Sequence, residues 1–470
     1  MNEAAVHTST GFETRNPARP DEVVAHYQAD NAASIDACMD RARAAQAGWA
    51  GTPLATRVHA LARWLAAIEQ DVDTVAQAIT REQGKPLAES RAETAKALRE
   101  ARAMLAFAQG HGGDTLAASR GGYQNLTLRR PRGVVLAIAP WNFPVLTPMR
   151  KLVPALVTGN AVVLKPSEAT PMAAVVLARL AQGLLPQGVL QLVHGAGDVA
   201  AALCSHPDVA AISFTGSVTT GRKVAQAAGA ALVPVSLELG GKNAAWIDEV
   251  ADLERCLDAI HAAAFQCAGQ RCTAISRVLA PRHRLDEVVQ GLARRADALH
   301  LGEGDDPDTT LGPITTAAQW NKIDQLVRAA VAAGARLVCG GTAATVEACP
   351  GGRFYTPTIL VCEDAANPAV QQEIFGPVLV VQPYTDTDEA VALLNGVAYG
   401  LTSSLFSDRF AVVMRYLAEA QTGMLHVNHG TAPDDHMPFV GVKDSGLGTG
   451  SVGRSTLDFF TTEHTAYLAA

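Results

Sequence analysis

Between residues 133 and 231 the chain alternates two kinds of segment, and this alternation constrains the fold more than any other feature. "GVVLAIAP", "AVVLKP", "GVLQLVHG" and "VAAISFTGS" are short and almost wholly apolar, as expected of strands buried on both faces. "KLVPALVTGN", "TPMAAVVLARLAQGLL", "DVAAALCSHP" and "VTTGRKVAQAAGA" alternate with them and carry helical spacing. Repeats of this kind form a parallel sheet with helices on its faces. Such sheets bind ligands beyond the carboxyl ends of their strands, so the residues that follow each apolar run are the first candidates for function.

The flanks extend this picture. Residues 31–110 are expected to be mainly helical, notably 57–69 and 88–109, and residues 123–130 alternate as a strand does. A helix is expected over 253–269 and a second α/β alternation to about 420. The stretch "DFFTTEHTAYLA" near the end alternates as a strand that pairs outside its own domain. With 470 residues, 48% of them hydrophobic, the chain can bury two or three domain cores. The expected class is α/β. A Rossmann-like cofactor domain takes 1–118 and 133–237, and an α/β catalytic domain takes 238–430. Residues 431–454 form an entrance loop, and 119–132 with 455–470 form a small β oligomerisation extension.

Charge and cysteine usage narrow the setting. A net charge of −8 argues against a partner held by phosphate contacts, so no nucleic acid is expected. No apolar run is long enough for a membrane span, and the first ten residues lack the pattern of a secretion signal. Eight irregularly spaced cysteines suit reduced thiols in the cytoplasm rather than a disulfide framework.

Short motifs then carry candidate chemistry. In "SFTGSVTTG" a strand runs into Gly216 and Ser217 and a helix starts at once, so free amides would face an anion; a plain tight turn reads equally well. The G-x4-G there is not the usual dinucleotide fingerprint. In "LKPSEATP", Lys165 and Glu168 end a strand, where a carboxylate can accept from ribose hydroxyls; a solvated loop with a helix cap is the alternative. In "APWNFPV", Trp141 and Asn142 sit between prolines, and a fixed Asn amide can either donate to an oxyanion or simply form the turn. Glu238 of "SLELGGKN" enters apolar surroundings, which make a carboxylate a better general base, unless it is only a loop acid.

"QCAGQRCTA" holds two thiols. Cys267 suits a structural buried cysteine, whereas Cys272, on a loop beside Arg271, can be a thiolate nucleophile. A metal site would need two more ligands, so no metal is expected. His426, His429, Asp434, Asp435 and His436 wander along a proline-containing loop that suits a substrate entrance.

In this order, "PWNFP", "KPSE", "FTGS", "LELGGK", "GQRC", "EIFGP" and "MPFVGVKDSGLG" resemble the aldehyde dehydrogenase superfamily over nearly the whole chain. The resemblance implies oxidation of a small-molecule aldehyde by Cys272, through a thiohemiacetal and then a thioester. It implies an oxyanion held by Asn142 and the Cys272 amide, and hydrolysis assisted by Glu238. Lys165 and Glu168 would bind the adenine ribose, and Gly216 and Ser217 would lie by the pyrophosphate with Trp141 near. Glu373 would hold the nicotinamide ribose, and Phe375 would pack near the ring. Glu238 favours release of a free acid over transfer to coenzyme A. Glu168 favours NAD, with NADP tolerated.

Arg150 matches a position resembling the carboxylate-binding Arg of succinate-semialdehyde dehydrogenases, but the position of the second such Arg holds Gln266, and Val440 stands where a glycine is commoner. A small semialdehyde is the expected substrate, with Arg271 as a further candidate for its charge. Aminoaldehyde or aromatic aldehyde oxidation and thiol esterase activity are the alternatives. The resemblance also implies a homodimer or homotetramer.

Overall fold

A computed structural model describes residues 11–469. The opening ten residues, and with them the start of the expected cofactor domain, lie outside the described residues.

Two parallel-rich sheets dominate. The first has six strands in the order Gly446–Leu447, Val235–Glu238, Val209–Thr215, Val134–Ile138, Ala161–Lys165 and Leu190–Leu192. Only the first pair is antiparallel. Every residue of Val134–Ile138 and Ala161–Lys165 is buried, as their unbroken apolar character predicts. One face packs against the helices Leu54–Gln70, Leu87–Ala108 and Leu146–Val157, and the other packs against Ala32–Gly51 and Val218–Ala231.

The second sheet has seven strands in the order Arg336–Cys339, Thr358–Val361, Val378–Tyr384, Ile275–Pro281, Asn243–Ile247, Thr402–Phe406 and Met424–Val427. Its helices Leu253–Phe265, Leu285–Asp297 and Ala317–Ala332 cover one face, while Thr387–Asn395 and Phe410–Glu419 cover the other. A third, antiparallel sheet joins Thr461–Ala469, Tyr123–Pro131 and Thr115–Leu116.

Glu238 closes the last parallel strand of the first sheet, and Asn243 opens a strand of the second. The carboxyl ends of one sheet therefore lead directly into the amino ends of the other.

Several expectations change at their edges. Residues 455–459 belong to the helix Arg454–Phe459, so the terminal strand starts at Thr461; Leu457 and Phe459 are buried in the core, which favours a helical turn there over an edge strand. The helix expected over 253–269 stops at Phe265, because Cys267, Ala268 and Gly269 take left-handed conformations at φ 57°, 52° and 67°. The helix in "TPMAAVVLARLAQGLL" covers only Met172–Ala181, with Gly183 turning at φ 72°. An antiparallel hairpin, Gly11–Asn16 with Arg19–Gln28, precedes the first helix. Among the described residues no helix is long and apolar enough to cross a membrane.

Candidate active site

A cavity of about 590 Å³ lies at the ends of the two sheets and is walled on a further side by the Leu87–Ala108 helix. Asn142, Glu238, Cys272, Trp141, Gly216, Ser217, Glu373 and Phe375 all line it, as do Arg150 and Arg271. Lys165 and Glu168 do not; they pair with each other at 3.6 Å at the end of the next strand.

The loop bearing Cys272 is held backbone atom by backbone atom. Asn142 Nδ2 donates to Gln270 O at 2.9 Å, and Asn243 Nδ2 donates to Cys272 O at 2.7 Å and Ala274 O at 2.8 Å. Thr431 Oγ1 donates to Thr273 O at 2.6 Å, and Cys267 N donates to Glu89 Oε2 at 2.9 Å. Gly269 has no room for a side chain, since a Cβ there would lie 2.1 Å from Gly376 O. This close approach joins the Cys272 loop to "EIFGP".

Half-buried Cys272 has electrostatic neighbours of both signs. Burial pushes its thiol up to about 12; Arg150 and Arg271 oppose this, and Glu238 and Glu373 add to it. Arg271 alone therefore does not produce the resting thiolate expected from its place in sequence, because desolvation outweighs it. To act as a nucleophile Cys272 would first have to lose a proton.

Asn142 is buried and fixed from both sides. One of its amide hydrogens is spent on Gln270 O, which leaves the other for an incoming oxygen. The Asn142 backbone carbonyl accepts from Lys85 Nζ at 2.8 Å, and Lys85 in turn pairs with Glu93 at 2.7 Å, both side chains being buried. Glu93 also accepts from Val145 N and Leu146 N, the otherwise unpaired amides that open the Leu146–Val157 helix.

Glu238 is buried, with Ser451 N donating to Oε1 at 2.9 Å and Thr215 Oγ1 to Oε2 at 3.2 Å. Lys151 lies in the same field: burial lowers its ammonium to about 8, against the pull of Glu238, and Nζ reaches Ser213 Oγ at 3.1 Å.

Glu373 accepts from Gly241 N at 2.8 Å, and its carboxylate fills the space that a Cβ on Gly240 would take, 2.2 Å from Oε2. Phe375 is left-handed at φ 60°, unusual for a bulky residue, and Gln319 Nε2 donates to Ile374 O and Phe375 O at 2.7 and 3.0 Å. Its ring meets Trp141 edge-on at 5.4 Å. Gly216 N donates to Glu238 O, whereas Ser217 caps the Val218–Ala231 helix by accepting from Thr220 N.

These groups fit a dinucleotide. The first-turn amides of that helix lack intrahelical acceptors and suit a pyrophosphate. The carboxylates of Glu168 and Glu373 could accept from ribose hydroxyls, and Phe375 with Trp141 forms an aromatic wall.

Another part of the lining is ionic. Arg150 is bound by Glu100 at 2.6 and 2.7 Å and lies 4.4 Å over the Phe439 ring, so its charge is already met inside the protein. This runs against Arg150 as a free carboxylate receptor. Arg271 reaches only neutral groups, Gln266 and Thr273, and its buried Nε has no partner among the described residues. Asp435 is not a free acid: Lys96 and Arg99 meet it at 2.9 and 2.6 Å. Among the described residues no group of three or more His, Cys, Asp or Glu could hold a metal ion.

Sequence reasoning missed Lys85, Glu93, Lys151 and Gln319, and it missed the cations facing Asp435. A usable signal existed for part of this set: Glu89, Glu93, Lys96 and Glu100 recur at helical spacing on one face.

Comparison with known proteins gives the same framework throughout. The profile of the aldehyde dehydrogenase family matches residues 4–466. The chain is 35% identical to the alpha-ketoglutarate semialdehyde dehydrogenase of Haloferax volcanii, over 99% of this chain and 98% of that one. Betaine aldehyde dehydrogenase from Staphylococcus aureus, crystallised with NAD+, superposes with a TM-score of 0.95 at 29% identity, covering 98% and 92% of the two chains. An NADP-dependent enzyme of E. coli superposes with a TM-score of 0.94 at 31% identity, covering 98% and 95%.

Proposed function

The chain belongs to the aldehyde dehydrogenase family and is an NAD(P)-dependent aldehyde dehydrogenase, and on that premise we propose that Cys272, Asn142 and Glu238 are its catalytic residues. The observation that carries this reading is their convergence on one cavity, with Asn142 bonded directly to the nucleophile's loop.

Glu238 takes the proton that burial keeps on Cys272. The sulfur then attacks the aldehyde carbon, and the free amide hydrogen of Asn142 together with the Cys272 N–H receives the oxygen. Bound nicotinamide supplies the hydride acceptor. Glu238 then releases that proton to solvent, and the regenerated carboxylate takes a proton from the water that frees the acid from the Cys272 thioester. Glu373 and the amides after Ser217 orient the dinucleotide, and Phe375 with Trp141 limits where its ring can lie. The six-stranded unit thus serves the cofactor and the seven-stranded unit the nucleophile.

NAD is the preferred cofactor, because the Glu168 carboxylate repels a 2′-phosphate; Lys165, paired with it, leaves NADP usable. The substrate is a small aldehyde that carries a carboxylate. Arg271 supports this, as a cation lining the cavity that makes no ion pair among the described residues, although the Glu89 carboxylate lies in its field. The semialdehyde named for the Haloferax volcanii relative points the same way. The pairing of Asp435 with Lys96 and Arg99 speaks against an amine-bearing aldehyde.

The protein works as a homodimer or homotetramer, supported by the exposed apolar residues Leu116, Tyr123, Tyr467 and Leu468 on its three-stranded sheet. Eight free thiols suit the cytoplasm.

The test is a panel of aldehydes, each with NAD and NADP: succinate semialdehyde, glycolaldehyde, an aminoaldehyde, an aromatic aldehyde and a long alkanal. The expected leader is succinate semialdehyde with NAD. Ester hydrolysis without NADH formation would count for a thiol esterase instead.

A further inference from the structure

The segment 432–438 walls the cavity with Ala432, Pro433, Asp434 and Asp435. Its ends are fixed, by Thr431 on Thr273 O and by Phe439 N on Ser451 O at 2.7 Å. Between those anchors, every hydrogen bond or ion pair it makes beyond itself runs to Lys96 or Arg99, among the described residues. Lys96 Nζ meets Asp435 Oδ1 and Pro433 O, both at 2.9 Å, and Arg99 Nε meets Asp435 Oδ2 at 2.6 Å. One carboxylate of the chain therefore occupies a two-cation site on the cavity wall.

That occupancy is easily exchanged. Arg99 is half exposed, and ion pairs so open to water are weak. Burial acts to raise the Asp435 carboxyl, but the bonds from Arg99 and Lys96 outweigh it and hold it below the ordinary carboxylate range. The site is thus suited to a charged carboxylate, whichever molecule carries it. Lys96 also keeps Glu100 at 3.3 Å, so it is not stranded when Asp435 leaves.

We propose that Asp435 is a resident stand-in for the substrate's carboxylate: an anionic aldehyde takes its place on Lys96 and Arg99 during entry and then passes to Arg271, whereas a neutral aldehyde has no group with which to displace it. This rests on the carboxylated-substrate reading given above. A ligand's apparent affinity falls in proportion to the fraction of time its site is open. Lys96 and Arg99 thus favour an anion before the substrate reaches Cys272, and Asp435 tempers how strongly they do so.

The test reads one ratio, kcat/KM for succinate semialdehyde over kcat/KM for butanal, two aldehydes of equal carbon number. In Asp435→Asn this ratio should rise about five- to tenfold, mostly through the KM of the semialdehyde, as expected for a site closed most of the time. Asp435→Ser removes the same charge and must agree. Arg99→Gln should lower the ratio. A ratio unchanged or lowered in both Asp435 variants overturns the proposal and makes Asp435 only a brace for the loop.

An unaltered enzyme with no preference for succinate semialdehyde over butanal overturns the Arg271 reading instead. Asp435 is then judged with succinate as a dead-end inhibitor against butanal. Asp435→Asn must tighten that inhibition by the same factor, and failure to do so overturns the proposal.

Discussion

The two sides of the cavity are built from different materials. On the sheet side the walls are backbone, glycine and a few acceptors: Gly216 and Ser217 at a helix start, Gly240 against Glu373, and Phe375 against Trp141. On the helix side they are ion pairs: Lys85 with Glu93, Arg150 with Glu100, and Lys96 and Arg99 with Asp435. Where strands end and chains approach closely, geometry leaves little to vary. Where side-chain charges face one another close to solvent, as Arg99 and Asp435 do, a single substitution changes what the cavity accepts and leaves the frame intact, whereas the dry pair Lys85–Glu93 belongs to the frame. We therefore expect the sheet side to govern the chemistry and the helix side to govern the choice of aldehyde.

The largest effect expected is from Cys272→Ala. Aldehyde-dependent NADH formation should fall on the order of 10⁴-fold or more, while titration calorimetry should show NAD binding nearly unchanged. Loss of NAD binding would mean that the two functions of the sheet side are not separable.

The buried pair of the helix side comes next. Lys85→Met leaves Glu93 charged in a dry place and should cost about 3–5 kcal/mol of stability in urea unfolding. A variant as stable as the parent would break the comparison, because it would show that this pair contributes little to the frame.

Asn142→Ala should lower kcat by about 10²–10³-fold with a much smaller change in KM, and a pure KM effect would move Asn142 out of the chemical step. Because burial holds the thiol up to about 12, alkylation of the free enzyme's Cys272 by iodoacetamide should accelerate as pH rises through 7 to 9 with no plateau; saturation near neutrality would show a resting thiolate. The smallest effect belongs to Glu168→Gln, which should raise kcat/KM with NADP by no more than about tenfold and leave the NAD value close to its original level.

The same contrast explains what could be read from the sequence. Val134–Ile138, Ala161–Lys165 and Val209–Thr215 announce themselves because a strand buried on both faces must be apolar throughout. Asn142 and Gly216 follow two of those runs within a few residues, Lys165 ends the third, and Glu238 ends the neighbouring strand Val235–Glu238, so the rule for carboxyl ends of parallel strands finds them.

Spacing alone puts Glu89, Glu93, Lys96 and Glu100 on one helix face, but not which way that face turns. A charged stripe on a helix is ordinarily its solvent face, and only the approach of Asn142, the Leu146–Val157 helix and the loop around Asp435 turns it inward. The left-handed run from Cys267 to Gly269 has a local signal only at its glycine, since neither Cys nor Ala favours such a conformation. Arg150 was legible as a cation near the site but not as a satisfied one, because Glu100 lies fifty residues away in the chain and meets it only through packing.

The tight contact at Gly269, where an added Cβ would lie 2.1 Å from Gly376 O, has a practical consequence for anyone rebuilding this enzyme. The segments 266–274 and 373–377 mesh like two gears with no slack, so a graft of one onto another scaffold carries its alignment only if the other travels with it. Libraries that diversify either segment alone should be dominated by misaligned members, and productive variants should appear when both are exchanged as one cassette.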